Sequence, residues 1–303
     1  MTGLPFALPG RFYRGNLHTH STLSDGRLSP DAVVEAYQAH GYDFISLTDH
    51  FIAPFDFPVA DTRAYRTSGF TTLLGAELHA PMIETGDFWH LLAVGLPLDF
   101  TPTSPEESGP ELAARAASAG AFVGIAHPAW YTLTLADALT ITTAHAVETY
   151  NTNCARCSDR GDSWHIYEML LARGCHLNAY ATDDAHFGPD EPDAFGGWVN
   201  VKATELTPEA LLAALLAGNF YSSQGPEICD VQIQLEMNAV SVTCSPCSTI
   251  LVTGYGSYAA VQHGTALTSC TLPVSRRDAK SHLRVTVIDE AGKRAWTNPI
   301  WLS

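Results

Sequence analysis

The chain has 303 residues, 46% of them apolar and 16% charged, a composition that is typical of a folded globular protein and excludes extended disorder. Its formal charge of −16 argues against binding to nucleic acid or to an anionic membrane, because an acidic surface repels phosphate groups at long range. No apolar run is long enough to span a bilayer, Met1 to Arg14 contain no signal-peptide core, and the seven cysteines do not form a disulfide framework. We therefore expect a cytoplasmic protein with reduced thiols, and the sequence leaves its oligomeric state open.

The strand candidates are short apolar runs flanked by turn formers, a pattern that is typical of buried parallel strands. The first lies around Leu17, after a turn, and the others are 44–47, 72–74, 90–94, 122–125, 146–150, 177–180 and 198–201. Because these runs alternate with helical segments over roughly the first 200 residues, the pattern favours an α/β barrel or a related parallel fold.

Three helices are predicted from their start and stop signals. The first spans 30–39, with Ser29 as the N-cap residue, Pro30 at the first helical position and Gly41 after its end. The other two are 110–119, which Gly120 ends, and 207–217, which Gly218 ends.

The pattern changes after Gly225 and Pro226, where apolar residues begin to alternate with a period of two. This alternation covers 231–235, 239–242 and 283–287, and no helical pattern accompanies it. The sequence therefore predicts two domains, an α/β domain over 1–225 and a small antiparallel β-domain over 226–303.

Histidines and carboxylates occur at or beside most of the strand candidates. His18 and His20 are two residues apart, so on an extended strand their imidazoles point to the same face and suit one metal. Asp25 follows in a turn-rich stretch, and His90 opens a strand candidate. Strand candidates end at Asp49-His50, at Glu77, at His127 and at the segment from Asp183 to His186. Metal-ligand residues at so many strand ends indicate a shared site, because parallel α/β folds place functional side chains there.

In this order the residues resemble the signature of the PHP superfamily, named for its polymerase and histidinol phosphatase members. The matching positions are His18, His20, Asp25, His50, Glu77, His90, His127, Asp184 and His186. The stretches 198–203, 220–227 and 295–299 are similar to the subgroup with a C-terminal β-domain that includes carbaryl hydrolase. The resemblance implies a distorted (β/α)7 barrel with the site at the carboxyl ends of its strands.

The same resemblance implies that the nine residues bind two to three divalent transition metals. It places His18, His20, Glu77 and Asp184 at one metal, Glu77, His90 and His127 at a second, and Asp25, His50 and His186 at a third. Imidazole and carboxylate together suit Zn, Mn or Fe, and Glu77 would bridge the first two metals. We assign the catalytic roles to Glu77, Asp184 and His186.

The expected activity is hydrolysis of a small-molecule phosphoester by a hydroxide held between two metals. Arg156, Arg160 and Lys202 are the basic residues that we expect to contact the phosphate. One alternative is hydrolysis of a carbamate or carboxylic ester at the same centre. Another is a noncatalytic PHP scaffold, which the retention of all nine ligands disfavours.

Several other residues have more than one interpretation. Asp49 and Asp183 are expected to support neighbouring ligands, with Asp183 as an alternative to Asp184 in the ligand role. A hydrogen-bonded or surface role is favoured for His79 over a place in the site on the same face as Glu77. The Cys154–Cys157 and Cys244–Cys247 pairs lack zinc-finger spacing and are interpreted as structural. The aromatic stretch 51–57 either lines a pocket for an apolar leaving group or packs against the barrel.

Overall fold

The computed structural model describes residues 4–190, 192–234, 237–275 and 279–302. Its α-helices are α1 (Pro30–Ala39), α2 (Gly109–Ser118), α3 (Leu135–Ala138), α4 (Thr152–Cys157), α5 (Trp164–Ala172) and α6 (Pro208–Leu216). The first eight strands are β1 (Arg11–Asn16), β2 (Phe44–Leu47), β3 (His50–Phe51), β4 (Thr71–Ala80), β5 (Trp89–Val94), β6 (Phe122–Ile125), β7 (Ala146–Asn151) and β8 (Asn178–Thr182). The other strands are β9 (Trp198–Ala203), β10 (Phe220–Ser223), β11 (Ile228–Gln234), β12 (Ala239–Gly254), β13 (Ala259–Pro273), β14 (His282–Ile288), β15 (Arg294–Thr297) and β16 (Ile300–Trp301).

The fold is mixed α/β and is built on one large sheet. The strand order through the described residues is β11-β12-β14-β15-β10-β9-β1-β2-β4-β5-β6-β7-β8. Three further strands lie off this path: β13 pairs with β12, β3 with β4, and β16 with β14. The pairs β1–β2, β2–β4, β6–β7 and β7–β8 are parallel. Because these parallel strands end at one edge, the segments that follow β1, β2, β6 and β8 lie close together.

The expectation of a run of parallel strands is wrong at β9, which is antiparallel to β1 and to β10, and at β5. Strand β5 is antiparallel to both β4 and β6. The connection 81–88 between β4 and β5 is too short for the helical crossover that a parallel pair requires, so the chain reverses direction there. The reversal brings the first residues of β5 to the same edge as the segments after the parallel strands.

Side chains join β8 to β10, although these two strands do not form a hydrogen-bonded ladder. The Ser222 hydroxyl donates to the Ala179 carbonyl at 3.2 Å and accepts from the Ala181 amide at 3.2 Å. The Asn298 side chain accepts from the Ala179 amide and donates to the Phe220 carbonyl, each at 3.0 Å. These bonds fix the β8 end of the strand order beside β10, and thereby fix the segment after β8 that carries site residues.

The C-terminal strands β11 to β16 pair in antiparallel fashion, as the period-two alternation indicates. An apolar cluster of their own fills the space between them, and it includes Val231, Val240, Ile250, Val285 and Val287. Strand β15 also pairs with β10, so the hydrogen-bonded sheet continues from one region into the other. The domain boundary at 225–226 stays a prediction, and Leu235 lies outside the described residues.

The helices predicted from start and stop signals are present with ends within one residue of the expected positions. At α6 the Thr207 hydroxyl accepts from the Ala210 amide at 3.3 Å and so caps the start of the helix. Helices α3, α4 and α5 are absent from the sequence expectation, since α3 and α4 are short segments and α5 is apolar on most of its surface. In the part of the chain that the structure describes, no helix has the length and apolar character that crossing a membrane requires.

Candidate metal centre

His18 and His20 lie directly after β1, and both side chains are fully buried. Their ring centroids are 5.2 Å apart, and their Nε2 atoms lie 3.2 and 2.9 Å from Oδ1 of Asp184. The same two Nε2 atoms are 3.7 and 3.8 Å from Oε2 of Glu77. The His20 amide donates to the Ala185 carbonyl at 2.9 Å, which ties the segment after β1 to the segment after β8.

Glu77 occupies the centre of the group, and its side chain is fully buried. Its Oε1 lies 2.9 Å from Nδ1 of His90 and 3.1 Å from Nε2 of His127, whereas its Oε2 lies 2.6 Å from Nδ1 of His50. The expectation that β4 ends at Glu77 is wrong, because the strand continues to Ala80. Parallel pairing with β3 and antiparallel pairing with β5 extend it by three residues.

Asp25, His50 and His186 form the more exposed part of the cluster. Oδ2 of Asp25 lies 3.4 Å from Nε2 of His50, and its Oδ1 lies 3.4 Å from Nε2 of His186. The Asp25 side chain is 45% exposed, whereas those of His50 and His186 are 17% and 19% exposed. This part of the cluster therefore faces the solvent side of the site.

The structure brings all nine sequence-predicted ligand residues into overlapping groups whose ligand atoms lie within 4.8 Å of one another. The groups are His20, Asp25, His50 and His186; His18, His127 and Asp184; His18, His20 and Glu77; His50, Glu77 and His79; and Glu77, His90 and His127. Imidazole nitrogens and carboxylate oxygens in such groups suit first-row transition metals.

Several buried polar atoms in this cluster lack hydrogen bonds. They include Nε2 of His18, Nδ1 of His20 and Oε2 of Glu77, which lie close to atoms of opposite charge without the geometry of a hydrogen bond. Leaving such atoms without a partner in the interior costs about 1–3 kcal/mol each. A metal ion bound between them would satisfy these atoms, so the residues present fit the metal that the resemblance implies.

The carboxylates strongly affect the titration of the histidines. Burial acts to lower the pKa of His18, but the charges of Asp184 and Glu148 outweigh it and raise this pKa well above the usual value. Burial is likewise outweighed by Glu77 and Asp25 at His50, where the pKa rises to about 10. By contrast, burial and the neighbouring charges of His186 and His50 lower the pKa of His20 to about 3.

The histidines have the opposite effect on the carboxylates. Burial acts to raise the pKa of Glu77, but the charges of His50, His79 and His90 hold it well below its usual range. The pKa of Asp184 is held low in the same way by His18 and by the hydrogen bond from His20. Glu77 and Asp184 are therefore ionised over the neutral pH range and available as metal ligands.

Two ligand residues have backbone conformations that non-glycine residues rarely adopt. Asp184 has φ 56° and His127 has φ 22°. Such conformations cost about 1–3 kcal/mol and persist where the surrounding structure enforces them. Here the Asp184 amide donates to the His18 carbonyl at 2.8 Å, and the His127 amide donates to Oε2 of Glu148 at 2.7 Å.

Glu148 is a buried carboxylate beside the candidate ligands, and it was not predicted from the sequence. It is fully buried in β7, and its Oε1 lies 3.1 Å from Nδ1 of His18. Its carboxylate also accepts from Asn151 at 3.0 Å and from the Thr182 hydroxyl. A carboxylate on Nδ1 fixes the orientation of an imidazole and leaves Nε2 free for a metal. The available signal was a charged residue inside an apolar strand run.

His79 is closer to the centre than the sequence suggested. Its side chain is buried, with Nε2 at 2.8 Å from Nδ1 of His50 and 3.5 Å from Oε2 of Glu77. Of the roles expected for His79, a surface position is therefore wrong and a hydrogen-bonded one is present, and His79 also belongs to one of the groups that could hold a metal. It lies two residues from Glu77 on the same strand, which places both side chains on one face.

Asp49 and Asp183 lie behind the cluster. Asp49 accepts from the Ser21 amide at 2.7 Å and from the Ser24 hydroxyl at 2.8 Å, so it holds the turn that carries Asp25. Asp183 accepts from the Tyr37 hydroxyl at 2.9 Å and from several backbone amides of the 195–197 segment.

The three basic residues expected to contact phosphate are not gathered at the cluster. Arg156 donates to the Pro192 and Ala194 carbonyls, and Arg160 donates to the Trp130 carbonyl at 3.1 Å. Lys202 pairs with Phe12 in the β1–β9 ladder. Phe12 is six residues before His18 on an extended chain, about 20 Å from it, so Lys202 lies far from the metal ligands.

The metal ligands border a cavity of about 310 Å³. Seven of them line it on one side, and Trp130, Asn153, Cys154, Cys157 and Ser158 line the rest. The first cysteine pair thus lies at the cavity, whereas Cys244 and Cys247 lie in β12 with their Sγ atoms 3.7 Å apart. Burial raises the pKa of Cys154 far above its usual value, so its thiol stays protonated.

No protein-family model and no curated protein matches the chain. Among solved structures, it is similar to a two-domain protein from Bacteroides vulgatus that contains a predicted PHP-like metal-dependent phosphoesterase. The TM-score is 0.53 at 15% identity, with 97% of each chain covered. An amidohydrolase from Chromobacterium violaceum has a TM-score of 0.45 at 17% identity, covering 58% of this chain and 89% of that chain. The first likeness shows that the chain shares the overall fold of the two-domain protein.

Proposed function

We propose that the chain is a metal-dependent hydrolase that cleaves a small phosphoester. The observation that carries this proposal is the cluster of nine residues around Glu77, whose free imidazole and carboxylate atoms converge beside a cavity. Divalent metals held there would activate water and neutralise charge on the phosphate oxygens. The reaction forms a bond from a water oxygen to phosphorus and breaks the bond to the alcohol oxygen, which takes up a proton.

The residues of the chain have separate tasks in this proposal. Glu77 contacts histidines on both of its oxygens, so it is the residue that suits a bridge between two metals. Asp184 contacts His18 and His20 through Oδ1, while its Oδ2 accepts from Asn151 at 3.1 Å. His186 lies at the exposed side of the cluster, where an alcohol product can leave.

The order of the nine residues and the shared fold also support a proposal for the family of the chain and one for its metals. We propose that the chain is a PHP protein with a distorted seven-stranded barrel and a C-terminal β-domain similar to that of carbaryl hydrolase. We propose that it binds two or three Zn, Mn or Fe ions. The side-chain bonds between β8 and β10 support the barrel, because they bring β8, at one end of the strand order, back beside β10.

Hydrolysis of a carboxylic ester or carbamate is the second candidate, and one observation favours it. None of the described residues that line the cavity beside the metal ligands is a lysine or an arginine. A neutral ester needs no such cation, whereas a phosphate would have to be neutralised by the metals alone.

The test compares p-nitrophenyl phosphate, its bis-ester and 1-naphthyl acetate on enzyme loaded with Zn, Mn or Fe. Elemental analysis of the same samples gives the metal content, and Glu77→Gln is the inactive reference. Turnover of the phosphate esters, with two or three metals per chain, is the expected result. Fast turnover of the acetate with inert phosphate esters would favour the second candidate, and less than one bound metal would contradict both.

A further inference from the structure

A second cavity of about 670 Å³ adjoins the metal ligands. It shares Asp25, His50 and His90 with the cavity at the metal centre, so the two cavities lie side by side along the same ligands. The residues that line only the second cavity are mainly apolar and include Pro54, Phe55, Phe57, Pro81 and Phe88. Together the two cavities therefore have a polar end at the metal ligands and an apolar end.

The apolar end has the properties of a binding surface for an uncharged group. Phe88 is 54% exposed, which is a large exposed fraction for an aromatic side chain beside a cavity. The Phe55 ring lies 6.3 Å from the His50 ring at an interplanar angle of 17°, so it continues the wall that the metal ligands begin. None of the described residues that line either cavity is a lysine or an arginine.

Packing and proline residues hold this end in shape before a ligand binds. The Phe57 ring contacts that of Phe51 at 5.3 Å, and Phe51 is buried against Phe100 at 5.7 Å. Pro54 and Pro81 lie in the two segments that border the cavity, and proline restricts the backbone angle φ. A preformed apolar cavity of a few hundred Å³ is typical of small-molecule sites.

We propose that the substrate carries an uncharged alkyl or aryl group on its ester oxygen, and that this group occupies the cavity around Phe55 and Phe88. The phosphoryl group then lies at the metal ligands. This inference rests on the proposed phosphoesterase function. It disfavours sugar phosphates and nucleotides as substrates, because their polar or charged groups would lose water in the apolar cavity without gaining hydrogen-bond or ionic partners.

The experiment uses a series of n-alkyl phosphates from ethyl to hexyl. Their alcohol leaving groups have nearly equal acidity, so a change in kcat/KM along the series reports the binding of the alkyl chain. Each buried methylene should raise kcat/KM by up to about fourfold. A flat series, with all members turned over, would overturn the inference and leave the proposed function intact.

Variants locate the effect in the cavity. Phe55→Ser and Phe88→Ser should each reduce the dependence of kcat/KM on chain length, whereas Phe88→Leu should largely retain it. Met82→Ser is the matched control, because Met82 is 67% exposed in the same loop as Phe88 and does not line the cavity. Equal chain-length dependence in Phe55→Ser, Phe88→Ser and the parent protein would place the alkyl group elsewhere and contradict the inference.

Binding of n-alkylphosphonates, measured by calorimetry, gives a readout that does not depend on turnover. Affinity should rise with chain length, and the heat-capacity change should become more negative, as burial of apolar surface requires. If no phosphate ester is hydrolysed but phosphonate affinity still rises with chain length, the proposed function fails and the apolar subsite stands. If affinity does not depend on chain length, the subsite fails.

Discussion

Polar side chains fill the space around Glu77, whereas apolar side chains fill the space between the C-terminal strands. The cluster around Glu77 draws ligands from segments between His18 and His186, and most of them are buried. In β11 to β16 most of the buried residues are apolar, chiefly valines, isoleucines and leucines of neighbouring antiparallel strands. The cluster around Glu77 thus contains ionisable residues from distant parts of the chain, whereas the C-terminal region packs apolar residues from strands that are close in sequence.

The two regions therefore depend on their surroundings in different ways. Buried histidines and carboxylates lose the hydration that they have in the unfolded chain, and ion pairs, hydrogen bonds or a bound metal must compensate for this loss. Apolar residues are stabilised by burial itself. Metal removal should thus weaken the first region and leave the second almost unchanged.

The largest effect is expected from Glu77→Ala. Loss of a carboxylate that contacts His50, His90 and His127 should remove two metals and lower kcat by about a thousandfold or more. Asp25→Ala should be milder and keep part of the metal, because the Asp25 side chain lies at the exposed edge. Elemental analysis and initial rates measure both, with the exposed Glu84→Ala as control. Normal metal content in Glu77→Ala would show that the ligand assignment is wrong.

Glu148→Gln should have the next largest effect. The amide cannot replace both the contact to His18 and the bonds from the His127 amide and Asn151, so the His18 ring loses its fixed orientation. Metal affinity should fall by about 10–100-fold while the fold remains. Competition with a chelator of known affinity measures the loss. An unchanged affinity, with Glu111→Gln as an exposed control, would mean that Glu148 does not orient His18.

Much of this contrast between the two regions could be predicted from the sequence. Histidines and carboxylates at apolar strand ends are costly to bury without a function, so their spacing indicated the cluster at His18 and Asp184. The alternation in 239–242 and 283–287 indicated antiparallel strands, because side chains of a strand alternate between its two faces.

What the sequence did not predict depends on contacts between distant segments. The antiparallel direction of β5 and the extension of β4 to Ala80 arise from pairing, which a local pattern does not record. Glu148 looked like one charged residue in a strand, and only the fold places it on His18. The expectation for Lys202 rested on its charge alone, whereas its position in the β1–β9 ladder takes it away from the site.

Metal binding should depend on pH, because the candidate ligands around Glu77 include histidines that titrate. In the metal-free protein the pKa of His50 is raised to about 10 and that of His186 to about 9. Below these values the rings hold protons that a metal must displace, so affinity should rise with pH, by about tenfold per unit for each proton released. Calorimetric titration with Zn at pH 6 to 9, in buffers of different ionisation enthalpy, counts these protons. Binding without proton release would exclude His50 and His186 as ligands.

The smallest effect on metal binding is expected where the two regions meet. Arg284 of β14 donates to Oε1 of Glu168 in α5 at 2.7 Å and lies 3.9 Å from the centre of the Trp164 ring. Its side chain is 11% exposed, whereas that of Glu168 is 38% exposed. Glu168→Ala leaves a guanidinium largely buried without its ionic partner, which should lower the free energy of unfolding by about 1–3 kcal/mol.

Because the pair lies apart from the metal ligands, metal affinity in Glu168→Ala should stay within about twofold of the parent value. Urea unfolding measures the stability, and the second variant, Arg284→Met, removes the charge while keeping an apolar side chain of similar length. Arg284→Met should be less destabilising than Glu168→Ala, since no unpaired charge remains in the interior. A large loss of metal affinity in either variant would show that the C-terminal strands hold the metal site in place, and the contrast between the two regions would then be wrong.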